Sequence, residues 1–159
     1  MSIKAKKRRR VLILVSAIVL GGASVGGLYQ YRTYRYHQYL MNARAEGLAA
    51  ASSGDDAKAV YRLMEYLGKY GDDTEALAAF AKSRMKVEED EGQHIRQTMG
   101  VLRRLIALDP SRIQERETLM DLYLRHGFMT EAIDVAQSLL DRDNKHAGAL
   151  RAQTIAHEQ

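Results

Sequence analysis

Hydrophobic side chains recur through residues 40–159 at intervals of three and four, the spacing of one face of an α-helix. The clearest stripes are Val60, Leu63, Met64 and Leu67; Ile95, Met99, Leu102 and Ile106; Leu119, Leu122 and Tyr123; and Ala132, Ala136, Leu139 and Leu140. No stretch alternates with the period of two that is typical of a β-strand. The pattern therefore predicts an all-α region in which each helix buries one face.

Glycines separate these stripes and predict where the helices stop. Gly54, Gly92 and Gly127 each fall between two stripes, where a helix C-terminus favours a left-handed residue. Ser111 and Gln114 have the spacing of a capping box, which predicts that their side chains cap the start of the next helix.

The breaks divide this region into helical hairpins of similar length. We predict hairpins at about 40–73, 74–112 and 113–146, followed by a terminal helix at 147–159. The middle hairpin is longer than the other two, with its excess near the acidic stretch 87–92. Stacked hairpins of this length predict an α-solenoid of about three hairpins plus a terminal helix.

The last full hairpin carries the most specific pattern. Its matching residues are Leu119, Tyr123, Gly127, Ala132, Leu139 and Leu140. The pattern resembles the tetratricopeptide repeat (TPR) family over about residues 40–159. The first hairpin keeps Gly47 and Ala59, whereas the middle one has Thr98 in place of the small alanine, and Met120 and Asn144 also depart from the usual residues. The resemblance implies a protein–protein interaction module.

In TPR proteins the first helix of each hairpin lines a concave, partner-binding surface. The resemblance places these residues on that surface: Arg44, Leu48, Ala78, Lys82, Lys86, Glu117, Asp121 and Arg125. Members of the family that hold a peptide carboxylate use basic and amide side chains there. Because Glu117 and Asp121 occupy such places, we expect a mixed-charge or basic segment as the partner.

The N-terminal part of the chain has a different pattern. A basic tail at 1–10 precedes an uncharged stretch at 11–31, which as a helix would be about 30 Å long, the thickness of a bilayer core. Residues 32–39 contain three tyrosines interleaved with Arg32 and Arg35, as at a membrane interface. We predict a single transmembrane anchor at 11–31. The basic side stays in the cytoplasm, so the repeat domain is predicted to be periplasmic or extracytoplasmic.

Two points about the anchor stay open. The strongly apolar part is short and is followed by Gly22, Ala23 and Ser24, which also fits a cleavable signal peptide. Gly22 and Gly26 form a G-x-x-x-G pair that can pack two helices closely in lipid. The oligomeric state is therefore not decided by the sequence.

Charge and residue types exclude several kinds of function. Residues 1–39 hold eight Lys and Arg and no acidic residue, whereas the remainder has a net charge of −4. An acidic repeat domain disfavours nucleic acid as a partner. The chain has no cysteine, its five histidines never stand four apart, and residues 88–91 lack the alternation of a calcium loop. We therefore predict no metal, no cofactor and no enzymatic activity.

Three functions fit these observations. The first is a membrane-anchored TPR-like interaction module exposed on the non-cytoplasmic side. The second is a structural accessory subunit or spacer in a membrane or export complex. The third is a secreted TPR protein, if the N-terminal segment is removed. The sequence does not identify the partner.

Overall fold

The structure, a computed structural model, describes the backbone of residues 3–89 and 92–157 and the side chains of residues 27–89 and 92–155. The chain forms two compact units, Met1–Met41 and Asn42–Gln159. Within the described residues there are seven helices and no strand: α1 (Ile3–Ser53), α2 (Asp56–Leu67), α3 (Thr74–Arg84), α4 (Gln93–Leu108), α5 (Ile113–Arg125), α6 (Met129–Leu140) and α7 (Ala147–His157).

In the unit Asn42–Gln159 each helix packs on the next one along the chain from α2 to α7, and α5 also contacts α7. The helices α3, α5 and α7 begin at Thr74, Ile113 and Ala147. These are the residues at which the sequence pattern begins the second hairpin, the third hairpin and the terminal helix. The succession of antiparallel neighbours is the arrangement of an α-solenoid.

The core between these helices is built from the predicted stripes. Ala59 and Ala132 are completely buried, which lets the second helix of their hairpins approach the first closely. One apolar cluster joins α3, α4, α5 and α6 around Leu102 and Tyr123. Another joins α5, α6 and α7 around Leu139.

One residue of the first stripe does not belong to the core. Met64 is 54% exposed, although Leu63 beside it is fully buried. Met64 thus belongs to the apolar stripe but not to the core, because it lies where α2 faces a groove rather than a neighbouring helix.

The three predicted left-handed glycines all have positive φ. Gly54 (φ 82°) follows α1 and Gly127 (φ 76°) lies in the α5–α6 turn. Gly92 (φ 67°) directly precedes α4, eight residues after α3 ends. Because side chains rarely adopt this conformation, glycine keeps the turns tight.

The predicted capping box at the start of α5 is not formed. Arg112 is the N-cap residue of α5, and no side chain caps this helix. The backbone N–H and the hydroxyl of Ser111 donate to Asp109 Oδ1 instead, at 3.1 and 2.5 Å. The carboxylate two residues earlier competes for the serine and stabilises the turn before the helix.

The unit Met1–Met41 exposes aromatic side chains along its described part. Tyr29, Tyr31, Tyr34, Tyr36 and Tyr39 are between 43% and 71% exposed. Among the described residues no helix combines the length and the apolar character needed to cross a bilayer. The side chains of residues 1–26, which include most of the predicted anchor and the Gly22/Gly26 pair, lie outside the described set.

Candidate partner-binding site

A cleft of about 340 Å³ lies between α3 and α5, the first helices of the middle and last hairpins. We call it the first-helix cleft. Small or apolar side chains from α3 and α4 line part of it, namely Ala78, Ala79, Ala81, Met85 and Leu102. Because several of these side chains are methyl groups, an extended backbone can approach the helices closely. Its volume is in the range that holds a small molecule or a few side chains.

Polar groups surround this apolar part. Lys82 lies on α3, and Gln114, Glu115 and Thr118 lie on α5. Glu115 is paired with Arg112 at 3.1 Å, and the Thr118 hydroxyl donates to the backbone oxygen of Gln114 at 2.8 Å. Lys82 is exposed and Gln114 presents an amide donor and acceptor, so the cleft offers a cation and a hydrogen-bonding group to a peptide backbone.

Of the residues predicted on the concave face, Ala78 and Lys82 line this cleft. Lys86 is exposed, but its Nζ lies 3.0 Å from Asp56 Oδ2 of α2. Leu48 is half-buried on α1. The structure thus brings two of the predicted residues together with Gln114, Glu115 and Thr118 of α5, which the sequence did not place on a binding face. No pattern in the sequence identifies those groups, because the cleft depends on the spacing between two helices.

Arg44 takes part in a network that joins three helices. Its Nε donates to Asp73 Oδ2 and its Nη2 donates to Glu75 Oε2, each at 2.6 Å. Asp73 is the N-cap residue of α3 and also accepts a hydrogen bond from the Tyr66 hydroxyl at 3.0 Å. The two carboxylates raise the pKa of Arg44 above its usual value. The structure therefore gives Arg44 a packing role beside its predicted place on the binding face.

The same network sets the charge of Asp73. Burial raises the pKa of Asp73. The hydrogen bonds from Arg44, from the backbone N–H of Ala76 and from Tyr66 lower this pKa by a larger amount. The net result is a pKa of about 2 instead of 3.8. Asp73 is consequently ionised throughout the neutral range and stabilises the start of α3 as a charged cap.

The three predicted residues on α5 differ in their surroundings. Glu117 Oε1 lies 2.9 Å from His146 Nε2. His146 Nδ1 accepts the backbone N–H of Ala149 at the start of α7, so the Nε2–H is the group that faces Glu117. Asp121 and Arg125 are exposed. Glu117 thus ties α5 to α7, whereas Asp121 and Arg125 face solvent.

A buried arginine in the middle hairpin was not predicted. Arg84 is 1% exposed and occupies the eleventh position of α3, where α5 has Tyr123. Its Nε donates to Gln97 Oε1 and its Nη1 donates to the Val87 oxygen, each at 2.8 Å, while Nη2 forms an ion pair with Glu89. The acidic stretch that lengthens this hairpin therefore holds a partner for Arg84. An arginine at a core position followed within five residues by glutamates is the signal in the sequence.

Within the described part of the chain, no three His, Asp or Glu side chains come together as they would to bind a metal ion. Glu88 and Glu89 belong to no such group, although the backbone N–H of Glu89 donates to His94 Nδ1 at 3.2 Å.

No protein-family model and no curated protein sequence matches the chain. Solved structures do match its fold. A MamA protein aligns over 77% of this chain and 64% of its own, with a TM-score of 0.61 and 15% identity. The TPR domain of Arabidopsis OM64 aligns over 77% of this chain and 98% of its own, with a TM-score of 0.55 and 13% identity.

The TPR2B domain of yeast Sti1, solved in a complex with pHsp70, aligns over 76% of this chain and 94% of its own, with a TM-score of 0.52 and 14% identity. The chain thus spans slightly less than two thirds of the MamA structure and nearly all of the two single domains. At these identities the similarity concerns the fold. The chain has a TPR-type fold of stacked helical hairpins.

Proposed function

We propose that this chain is a protein–protein interaction module whose first-helix cleft binds an extended segment of a partner protein. The observation that carries the proposal is the cleft between α3 and α5, where small side chains lie beside an exposed cation and an amide. The TPR fold supports it, because stacked hairpins of this kind present an extended binding surface. The pHsp70 bound to the similar Sti1 domain is consistent with a peptide ligand.

The charges on the predicted concave face suggest which kind of partner segment would bind there. Lys82 and Asp121 are both exposed and have opposite signs. A partner that carries an acidic side chain near Lys82 and a basic one near Asp121 would match both. A mixed-charge segment is therefore our proposed ligand, rather than a peptide held mainly by its terminal carboxylate.

Photo-crosslinking tests this assignment in the full chain. A photoreactive residue in place of Thr118 should form an adduct with the partner, and Lys82→Glu or Asp121→Lys should abolish it. The matched controls are Lys145→Glu and Asp134→Lys, which are exposed, do not line the cleft and, unlike Lys82 and Asp121, are not among the residues predicted on the concave face. An adduct that survives both charge reversals would refute binding at the cleft.

We also propose that residues 11–31 anchor the chain in a membrane, with the repeat domain on the non-cytoplasmic side. The uncharged stretch behind a basic tail and the exposed tyrosines at 29–39 support this topology. Exposed tyrosines on a helix fit the headgroup layer, where the ring is in apolar surroundings and the hydroxyl is in water.

Alkaline extraction combined with protease protection distinguishes the alternatives. An anchored module stays in the membrane after alkaline washing, and its repeat domain is digested only from the non-cytoplasmic side. A secreted protein would be shortened at its N-terminus and recovered in solution. For a spacer in a membrane complex, changes at Gly22 and Gly26 would disrupt the complex while changes at Lys82 would not.

A further inference from the structure

A second concavity lies between α2 and α4, the second helices of the first two hairpins. We call it the second-helix groove; it has a volume of about 450 Å³ and is lined by Met64, Leu67, Leu77, Phe80, Val101 and Arg104, among others. Leu77 and Phe80 of α3 are recessed in it, being 3% and 6% exposed, while Met64 is 54% exposed. The helices α2 and α4 form two walls of an apolar trough.

This groove is separate from the first-helix cleft. The helix α3 contributes Leu77 and Phe80 to the groove, but Ala78 and Lys82 to the cleft. A ligand in one therefore does not occupy the other. Each can be altered by substitutions that leave the other unchanged.

The wall formed by α4 contains a glycine with open space around it. A Cβ atom built on Gly100 meets no heavy atom within 4 Å. Gly71, in the turn after α2, is close-packed instead, because a Cβ there would lie 2.8 Å from Arg104 Nη2. The Arg104 guanidinium thus lies over this turn, where it also pairs with Asp72 at 2.8 Å.

The charged residues of α4, one wall of the groove, are all basic. The helix α4 carries Arg96, Arg103 and Arg104 and no acidic residue, in a domain whose net charge is negative. All three arginines are exposed, but Arg103 lines a different concavity, with Ile106 and Val135. On the α2 side, Lys69, which follows the groove residue Gly68, is exposed as well. An apolar trough with cationic surroundings is complementary to an apolar stripe flanked by acids.

We propose that the second-helix groove docks an amphipathic helix of a partner protein, with its apolar stripe on Met64, Phe80 and Val101 and acidic side chains toward Arg104 and Arg96. Helix-in-groove recognition uses apolar side chains at one stripe of the guest, and two helical walls provide such a trough. An anionic lipid surface would meet the arginines, but because it is flat it would leave the recessed Leu77 and Phe80 unfilled. The groove geometry therefore favours a helix.

The test uses the full chain with phosphatidylcholine nanodiscs and a labelled synthetic helix of about 18 residues, five turns long. The probe carries a leucine stripe flanked by glutamates, and its counterpart carries lysines in place of the glutamates. Fluorescence anisotropy should show saturable binding of the glutamate probe and at least roughly tenfold weaker binding of the lysine probe.

Two variants localise the binding. Gly100→Leu fills the open space in the groove, and Gly100→Ala is its matched control, because both replace the helix glycine but only leucine extends into the trough. Arg104→Glu is compared with Arg151→Glu, an exposed charge reversal on α7. We expect Gly100→Leu and Arg104→Glu to weaken binding by about tenfold or more. The two controls should bind like the wild type, with all variants showing the same helical circular dichroism.

Equal binding of both probes, or equal affinity of Gly100→Leu and Gly100→Ala, would overturn the proposal. The proposal would also be overturned if phosphatidylglycerol vesicles bound the chain through Arg104 and the glutamate probe did not bind. Lys82→Glu provides the separation from the first-helix cleft. It should leave binding of the glutamate probe unchanged, and a loss equal to that of Arg104→Glu would place the probe elsewhere and refute the assignment.

Discussion

The middle hairpin and the last hairpin have the same helix-pair arrangement but different interiors. At the eleventh position of its first helix, the last hairpin buries Tyr123 and the middle hairpin buries Arg84. Where the last hairpin has Ala132, the middle one has Thr98, whose hydroxyl donates to the His94 oxygen at 2.8 Å. The Thr98 hydroxyl and the Nε and Nη1 groups of Arg84 donate hydrogen bonds within the hairpin, whereas Arg84 Nη2 is buried with the Glu89 ion pair as its only polar contact.

The longer connection of the middle hairpin provides partners for its buried arginine. The connection between α3 and α4 supplies the Val87 oxygen and the Glu89 carboxylate, both of which face Arg84. The shorter turn between α5 and α6, residues 126–128, contains no carboxylate. The comparison teaches that a repeat tolerates a buried cation when its own loop carries the partners.

The largest effect is expected in the apolar hairpin. Leu139→Ala should lower the free energy of unfolding by about 2–5 kcal/mol, because Leu139 is 1% exposed and its removal leaves a cavity. Urea denaturation measures the change. Leu150→Ala on α7, where the side chain is 46% exposed, is the control and should change stability by about 0.5 kcal/mol or less. Equal effects of the two changes would contradict the packing described here.

The stability of the middle hairpin should depend more on the volume of the side chain at position 84 than on its charge. Arg84→Ala should cost about 2–5 kcal/mol, since it empties a buried site. Arg84→Met keeps most of the volume, and Glu89, which is 45% exposed, can be hydrated by solvent. We expect Arg84→Met to cost less than about 1.5 kcal/mol. If methionine were as damaging as alanine in thermal denaturation, the ion pair would be the dominant contribution.

Close packing in the first hairpin predicts a smaller loss. A Cβ on Gly47 would lie 2.7 Å from Leu63 Cγ and 3.2 Å from the Leu63 backbone nitrogen. Gly47→Ala should therefore cost about 1–3 kcal/mol through overpacking. Gly100→Ala, in the open part of α4, should instead stabilise by up to about 1 kcal/mol. Denaturation of the two variants in parallel should give changes in unfolding free energy of opposite sign. Changes of the same sign would contradict the close packing at Gly47 or the open space at Gly100.

The smallest effect concerns pH. Asp73 has a pKa of about 2 in the folded chain and 3.8 as its ordinary value. Its contribution to stability is therefore complete above pH 3.8 and is lost as the pH falls toward 2. Asp73→Asn keeps a capping oxygen but removes this ionisation, so its unfolding free energy should fall less steeply in that range. If the unfolding free energies of the wild type and of Asp73→Asn had the same slope against pH, Asp73 would contribute nothing to the pH dependence of stability.

The sequence also separates the two units of the chain by charge. Residues 1–39 contain arginines and lysines but no acidic residue, and all acidic residues come afterwards. The alkaline extraction proposed above tests whether this division corresponds to a membrane boundary.

Much of the fold follows from the sequence alone. The three- and four-residue spacing of apolar side chains predicted the helices, because a helix buries one face at that period. Gly54 and Gly127 predicted the turns, since positive φ is easily reached only without a side chain. The resemblance to TPR proteins, carried by Leu119, Tyr123 and Ala132, predicted the fold that the similar solved structures share with this chain.

The contacts between hairpins could not be predicted from the periodicity of apolar residues in the sequence. Met64 belongs to an apolar stripe but lies at a groove, because α2 and α4 are kept apart there by α3. Arg44 resembles a groove residue but is engaged by Asp73 and Glu75. The sequence determined the helices, their order and the charge of each part, because these depend on neighbours along the chain. Only the tertiary structure decided which faces became the cleft, the groove and the ion-pair network, because these depend on distances between helices that no local pattern encodes.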